Sequence, residues 1–267
     1  MPTVPLTKCT AYTYRRGAGV RRTHRVDRSI MKSDDRAARL AGIFFIITFV
    51  SAIAGALLYG PVLTDPEYVT GPGADVRVLL GAVCEIVLVI TNIGTAIVLF
   101  PLLRRHHEAA ALGYVAARIM ECALIVVGML SVLAVVTLRQ VAASDGDGAS
   151  YLPVARALVV LHDWTFLLGP GFVVGIGNGL LLGFLMYRSG LVPRRLALLG
   201  LIGGPLMSVS GVAVLFGAYE QVSVWSGLAT LSEIVWEASL GIYLAFVGVR
   251  RRSAVDASRT VPAVPLT

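Results

Sequence analysis

Charge is what this sequence has least of. Asp, Glu, Lys and Arg make up 15% of its 267 residues, against 56% hydrophobic ones. Soluble domains carry nearer a quarter charged, so an ordinary water-soluble globule is excluded and the bilayer is the better solvent. Cysteine is scarce too. Cys9, Cys84 and Cys122 make neither a disulfide framework nor a CxxC pair, and the latter two read as small packing residues. HExxH and GxSxG are absent, and Ser208 and Ser210 have no His near them in sequence. That sets aside a one-helix metal site and a familiar hydrolase triad, and the sequence calls for no cofactor. The first 30 residues lack the apolar core of a cleavable signal peptide.

What is abundant is continuous apolar sequence without the period-two alternation of a membrane barrel. Six runs, at about 40–60, 78–103, 113–138, 158–187, 195–217 and 227–249, are long enough to cross about 30 Å of hydrocarbon as helices. Each helix then satisfies its own backbone. The expected fold is all-α: a polytopic six-helix membrane domain over 33–250, with a basic disordered tail over 1–32 and a short one over 251–267. Met31 is an alternative start.

Lys and Arg are distributed unequally. Ten lie at or before Arg39, two in "RRHH" at 104–107, three at 188–195 and four from Arg250 onward, while the alternate loops hold only Arg77, Arg139 and Arg156. Short loops rich in these residues stay cytoplasmic, so both termini are expected on the cytoplasmic side of the bacterial inner membrane. The net charge of +7 is then mainly an orientation signal, and no groove-reading motif makes it a nucleic-acid footprint. Lipid is the expected partner, with anionic headgroups an option for the basic N-terminal tail.

Against this apolar background the ionisable residues inside the runs stand out: Glu85, Arg118, Glu121, His162, Asp163, Glu233 and Glu237. For the last run, ten Leu, Ile, Val or Phe supply about −3 to −6 kcal/mol on the insertion scale, against about +5 to +7 for two central acids. Glu233 and Glu237, four apart on one face, are therefore expected to face the bundle. Arg118 and Glu121, three apart, can meet on one helical face. Either they pair locally while Arg118 snorkels toward headgroups, or Arg118 clamps Glu237 or an anionic ligand through its planar fork. His162-Asp163-Trp164 has two readings as well. It sits in the outer interface with Trp164 as a belt anchor, or imidazole and carboxylates from several helices (His162, Asp163, Glu85 and Glu233) converge on a metal or relay protons.

In "GPGFVVGIGNGLLLG" at 169–183, Gly171, Gly175, Gly179 and Gly183 recur every four residues. No strand precedes them and no GK[ST] follows, so the spacing reads as a stripe for close helix packing, with Pro170 bending the helix.

Taken in order, "RLAGIFFIITFVSAIAG" (39–55), "ARIMECALIVVG" (117–128), "MYRSGLVPRRLALLGLIGG" (186–204) and "EIVWEASLGIYLAFVGVR" (233–250) resemble the bacterial integral-membrane family catalogued as domain of unknown function 4386. Its Arg-x-x-Glu pattern falls on Arg118 and Glu121, its Gly-Leu-x-Pro turn on Gly190 to Pro193, and its late Glu on Glu237. The resemblance implies six membrane helices and no established activity. Three functions stay open: an intramembrane polar cluster that binds or moves a small solute or protons, a metal-assisted intramembrane hydrolase, and a structural or partner-binding subunit.

Overall fold

A computed structural model of the chain describes residues 16–250, with side chains from Ser33 onward. The tail expected over 251–267 and the first fifteen residues of the one expected over 1–32 lie outside the described residues. Among these, every regular element is helical. Helices α1 (Arg16–Thr64), α2 (Asp75–Leu103) and α3 (Glu108–Asp145) are followed by a 3-10 turn at Gly148–Tyr151. Helix α4 (Leu152–Phe166) then runs through two π-helical stretches, Leu167–Val173 and Gly175–Leu182, into α5 (Gly183–Ser189). Helices α6 (Arg194–Leu215) and α7 (Val224–Phe246) complete the chain. Six helical rods are long and apolar enough to cross a membrane: the part of α1 from Ser33 on, α2, α3, the composite rod Gly148–Ser189, α6 and α7.

The rods overrun the apolar stretches because their polar flanks can cap them. His107 accepts from the Ala110 backbone N–H at 3.1 Å and starts α3 on Glu108, and Ser223 accepts from Ser226 N–H at 3.3 Å at the head of α7. Such side chains satisfy donors that the first turn leaves open. At the other end of the composite rod, Gly190 takes the left-handed conformation, φ 68°, that closes α5. Any other residue pays for that conformation.

The six rods form a closed ring. Each packs on the next in sequence, and α7 closes on α1. Short residues set the closest seams. A methyl group built on Gly42 would lie 2.7 Å from the Leu244 carbonyl carbon, and one on Gly241 2.9 Å from Phe45 Cβ. Thr48 and Thr91 hydroxyls join α1 to α2 at 2.7 Å. One face of the ring carries Ser33, Arg250 and the turns at 104–107 and 190–193; we call it the near face. The opposite, far face carries the loops at 65–74, 146–151 and 216–223.

At the far face Arg139 grips Asp75 with Nε at 2.6 Å and Nη2 at 2.8 Å, and donates to the Gly71 carbonyl at 3.2 Å. Tyr68 donates to the same carboxylate at 2.8 Å. Gly73, φ 64°, lets the loop pass directly over the guanidinium. This arrangement pins the α1–α2 loop to α3. Arg139→Ala is expected to speed amide exchange across 65–74 while leaving the helices protected, which hydrogen–deuterium exchange would read; unchanged exchange there would refute the pin. Burial, followed by the bond to Asp75, pushes the Tyr68 phenol up from its ordinary value. A raised folded value means that its contribution is complete below about pH 10, the unfolded value, and fades as pH climbs beyond it. Tyr68→Phe is expected to flatten part of the alkaline fall in stability, measured by thermal unfolding between pH 9 and 12.

Candidate functional site

The intramembrane charges gather in two groups. The first lies in the middle of the ring. Arg118 on α3 donates through Nη1 to Glu121 Oε2 at 2.7 Å, and its Nη2 lies 3.7 Å from Glu237 Oε1 on α7. Asn92 on α2 donates to the other oxygen of Glu121 at 2.8 Å. Asn178, in the second π-helical stretch, donates to Glu237 in a very short hydrogen bond. Glu233 faces the same charges, Glu237, Arg118 and Glu121. The Arg118 guanidinium is flanked by the Phe45 and Tyr114 rings, 5.6 and 5.8 Å from their centroids, a placement that ring quadrupoles favour. Arg118 and Glu233 are each 2% exposed, while the Glu237 side chain keeps 21%.

Helix geometry puts these groups at one level. Asn92, Arg118, Asn178 and Glu237 each stand some ten residues from the near end of their rod, about 15 Å at the helical rise. Both of the alternatives open for Arg118 are thus realised in part: it pairs with Glu121 on its own helix and reaches Glu237 across the ring, but it is buried rather than extended to headgroups.

The π-helical stretches give Asn178 its place. Pro170 has no N–H to donate and its ring crowds the carbonyl four residues back, and the surrounding glycines resist widening little. The rod responds with i to i+5 turns, a distortion frequent at functional sites. Trp236 Nε1 donates to the Asn178 carbonyl at 3.0 Å, tying the widened backbone to α7. The same turns split the glycine stripe. A methyl group on Gly175 would meet the Gly204 carbonyl at 2.6 Å and one on Gly183 the Leu201 N at 3.0 Å, so these glycines line the α6 seam, as does Gly179 against Gly204. Gly171 has only its own turn, Phe166 O and Leu167, nearby.

The second group lies in the far half. Tyr59 donates to Glu85 at 2.9 Å, and its ring stands edge-on to His162 at 6.0 Å. His162 Nδ1 is 3.6 Å from Asp163 Oδ1. The triplet at 162–164 is divided: His162 is buried, whereas Asp163 and Trp164 face outward. Glu85 and His162 therefore share one neighbourhood and Glu233 belongs to the other. Along α2, Glu85 and Asn92 are two turns apart, about 10 Å. Among the described residues no three His, Cys, Asp or Glu side chains are arranged to hold a metal ion.

Many polar atoms of the central group are buried without a hydrogen-bond partner: Arg118 Nε and Nη2, Tyr114 OH, Asn92 Oδ1, Asn178 Oδ1 and both oxygens of Glu233. Most buried polar atoms in folded proteins are bonded, and each orphan needs an explanation. Asn178, Tyr59, Tyr114 and Phe45 escaped the sequence reading. Only Asn178 left a signal there, as the single amide in a run of glycine and apolar residues, and the glycine stripe absorbed it.

Six apolar rods closed around a buried polar centre define a multi-spanning membrane protein. The chain belongs to the family described as domain of unknown function (DUF4386), whose model matches residues 40–248. No curated protein and no solved structure matches it.

Proposed function

We propose that this protein spans the bacterial inner membrane with both ends in the cytoplasm, and that its centre binds or moves a small solute or protons. The orphaned polar atoms around Arg118 carry the functional part. A purely structural ion pair is expected to satisfy its own donors and acceptors, because in hydrocarbon each unsatisfied one costs free energy. Here Nε and Nη2 of Arg118, both oxygens of Glu233 and the side-chain oxygens of Asn92 and Asn178 have no hydrogen-bond partner, the complement that a small polar ligand or water fills. The ring places them in its middle, the level at which ionisable residues mark solute and proton pathways. The hydrolase alternative asks His162 to work with Asp163, Glu85 or Glu233; Glu233 belongs to the other group, and among the described residues no three such side chains are arranged to hold a metal ion.

Asn178→Cys, in a chain with Cys9, Cys84 and Cys122 replaced by Ala, tests the site. The expected result is reaction with a small charged thiosulfonate reagent in native membranes, slowed by Glu233→Gln or by a bound solute. Silence equal to that of a cysteine at Ala197, fully buried on α6, would refute a ligand-accessible centre. The orientation rests on the near-face excess of Lys and Arg. A green fluorescent protein fused at the C-terminus is expected to fluoresce and alkaline phosphatase fused there to be inactive; the reverse would overturn it.

A further inference from the structure

The sign of the ligand is written in the charge count of the centre. One guanidinium, Arg118, faces three carboxylates, Glu121, Glu237 and Glu233. Two of them already flank it at 2.7 and 3.7 Å. A bound anion would be a fourth negative group around one cation, so the free guanidinium nitrogens are poor evidence for an anion. The excess lies on the other side. Glu233 is 2% exposed with neither oxygen bonded, and it stands against the widened backbone: a methyl group on Gly179 would lie 2.9 Å from its Oε2. Asn178, the preceding residue, keeps its side-chain Oδ1 free while its side-chain nitrogen is committed to Glu237. Three acceptors without a hydrogen-bond partner on α7 and the π-helical stretch, in a centre with three carboxyl groups to one guanidinium, are what a small cation needs.

Resting on the reading that the centre is a ligand site, we propose that it takes a small monovalent cation, an alkali ion or a primary ammonium, held by Glu233 and the side-chain oxygen of Asn178 beside Glu237. Oxygen ligands suit hard cations, and a primary ammonium carries three donors for three acceptors. Arg118 then holds Glu121 and orients Glu237 without being displaced. Irregular backbone at membrane depth is tolerated only where it is buried in protein or lines a cavity, and transporters use such stretches to coordinate cations.

The test is thermal unfolding of the full chain in detergent at fixed pH and ionic strength, with NaCl, KCl, NH4Cl or methylammonium chloride set against N-methylglucamine chloride, and with N-methylglucamine acetate and phosphate as anion arms. One cation is expected to raise the midpoint saturably, by about 5–10 °C at a hundredfold excess over its dissociation constant. Alkali and ammonium arms tell the two kinds of cation apart. Glu233→Gln is expected to abolish the rise and Glu85→Gln, in the far group, to keep it. Should Glu233→Gln not fold, Asn178→Ala is expected to weaken the cation effect at least tenfold. Stabilisation by the anion alone, or a dependence on pH with no cation effect, would overturn the cation and leave the ligand site standing. No effect of any ion together with a silent Asn178→Cys would sink both.

Discussion

Arg118→Ala is expected to lower the unfolding midpoint in detergent by about 6–20 °C, the equivalent of about 3–5 kcal/mol for a chain of this size. The reason lies in what is left behind. Removing the guanidinium strands Glu121, with Glu237 and Glu233 nearby, in a setting where uncompensated charge is costly. Arg118→Lys does not rescue it well, because an ammonium cannot hold Glu121 and Glu237 with two arms of one planar fork. If the penalty comes from stranded charge, removing the partner too should relieve it. The double variant Arg118→Leu/Glu121→Leu is expected to be about 1–3 kcal/mol more stable than the sum of the single losses. Strict additivity would show that the two side chains do not act as a pair.

The second large effect is steric. Gly204→Val should separate α6 from the composite rod, since even a methyl group there would lie 2.6 Å from the Leu180 N and 2.7 Å from the Gly179 Cα. Both obstacles are backbone, which cannot turn aside as a side chain does, so the cost is set at the upper end of the about 1–3 kcal/mol typical of overpacking. Gly200→Val meets the Trp236 indole at 2.6 Å and is expected to cost a comparable amount. Gly171→Ala is the contrast. Its methyl group meets only its own turn, at 3.5 and 3.7 Å, so a change within about 0.5 kcal/mol is expected. Equal losses at Gly171 and Gly204 would mean that the π-helical turns do not rotate Gly171 off the seam.

The helices were legible in the sequence because hydrocarbon imposes one rule on every residue of a span, and a run of about twenty apolar side chains records it without reference to the rest of the chain. The pairing of Arg118 with Glu121 was legible for a related reason, as a helix brings residues three apart together whatever surrounds it. Glu237 was visible as an acid too costly to face lipid, and Arg118 as a partner it could have, but the sequence left open whether the two meet. That depends on how α3 and α7 are rotated within the ring. The glycines show where local periodicity stops being informative: spacing of four marks one face only while the helix keeps its regular turn. Once Pro170 forces wider turns, Gly171 leaves the seam and Asn178 enters the centre. His162 and Asp163 were read together as neighbours, yet adjacent helical residues point about 100° apart, so one turned inward and the other out.

On the proposed function, the central charges serve a ligand and are not what keeps the bundle folded. Thermal unfolding of the variant Arg118→Met/Glu121→Leu/Glu233→Leu/Glu237→Met, beside the wild-type chain in the same detergent, tests this most directly. Apolar groups of similar volume in place of a buried ionic cluster are commonly neutral or stabilising. The predicted result is a folded protein whose midpoint equals or exceeds that of the wild type and no longer responds to added cations. A variant that fails to fold, or that melts far below the wild type, would contradict the account and make the charges architecture.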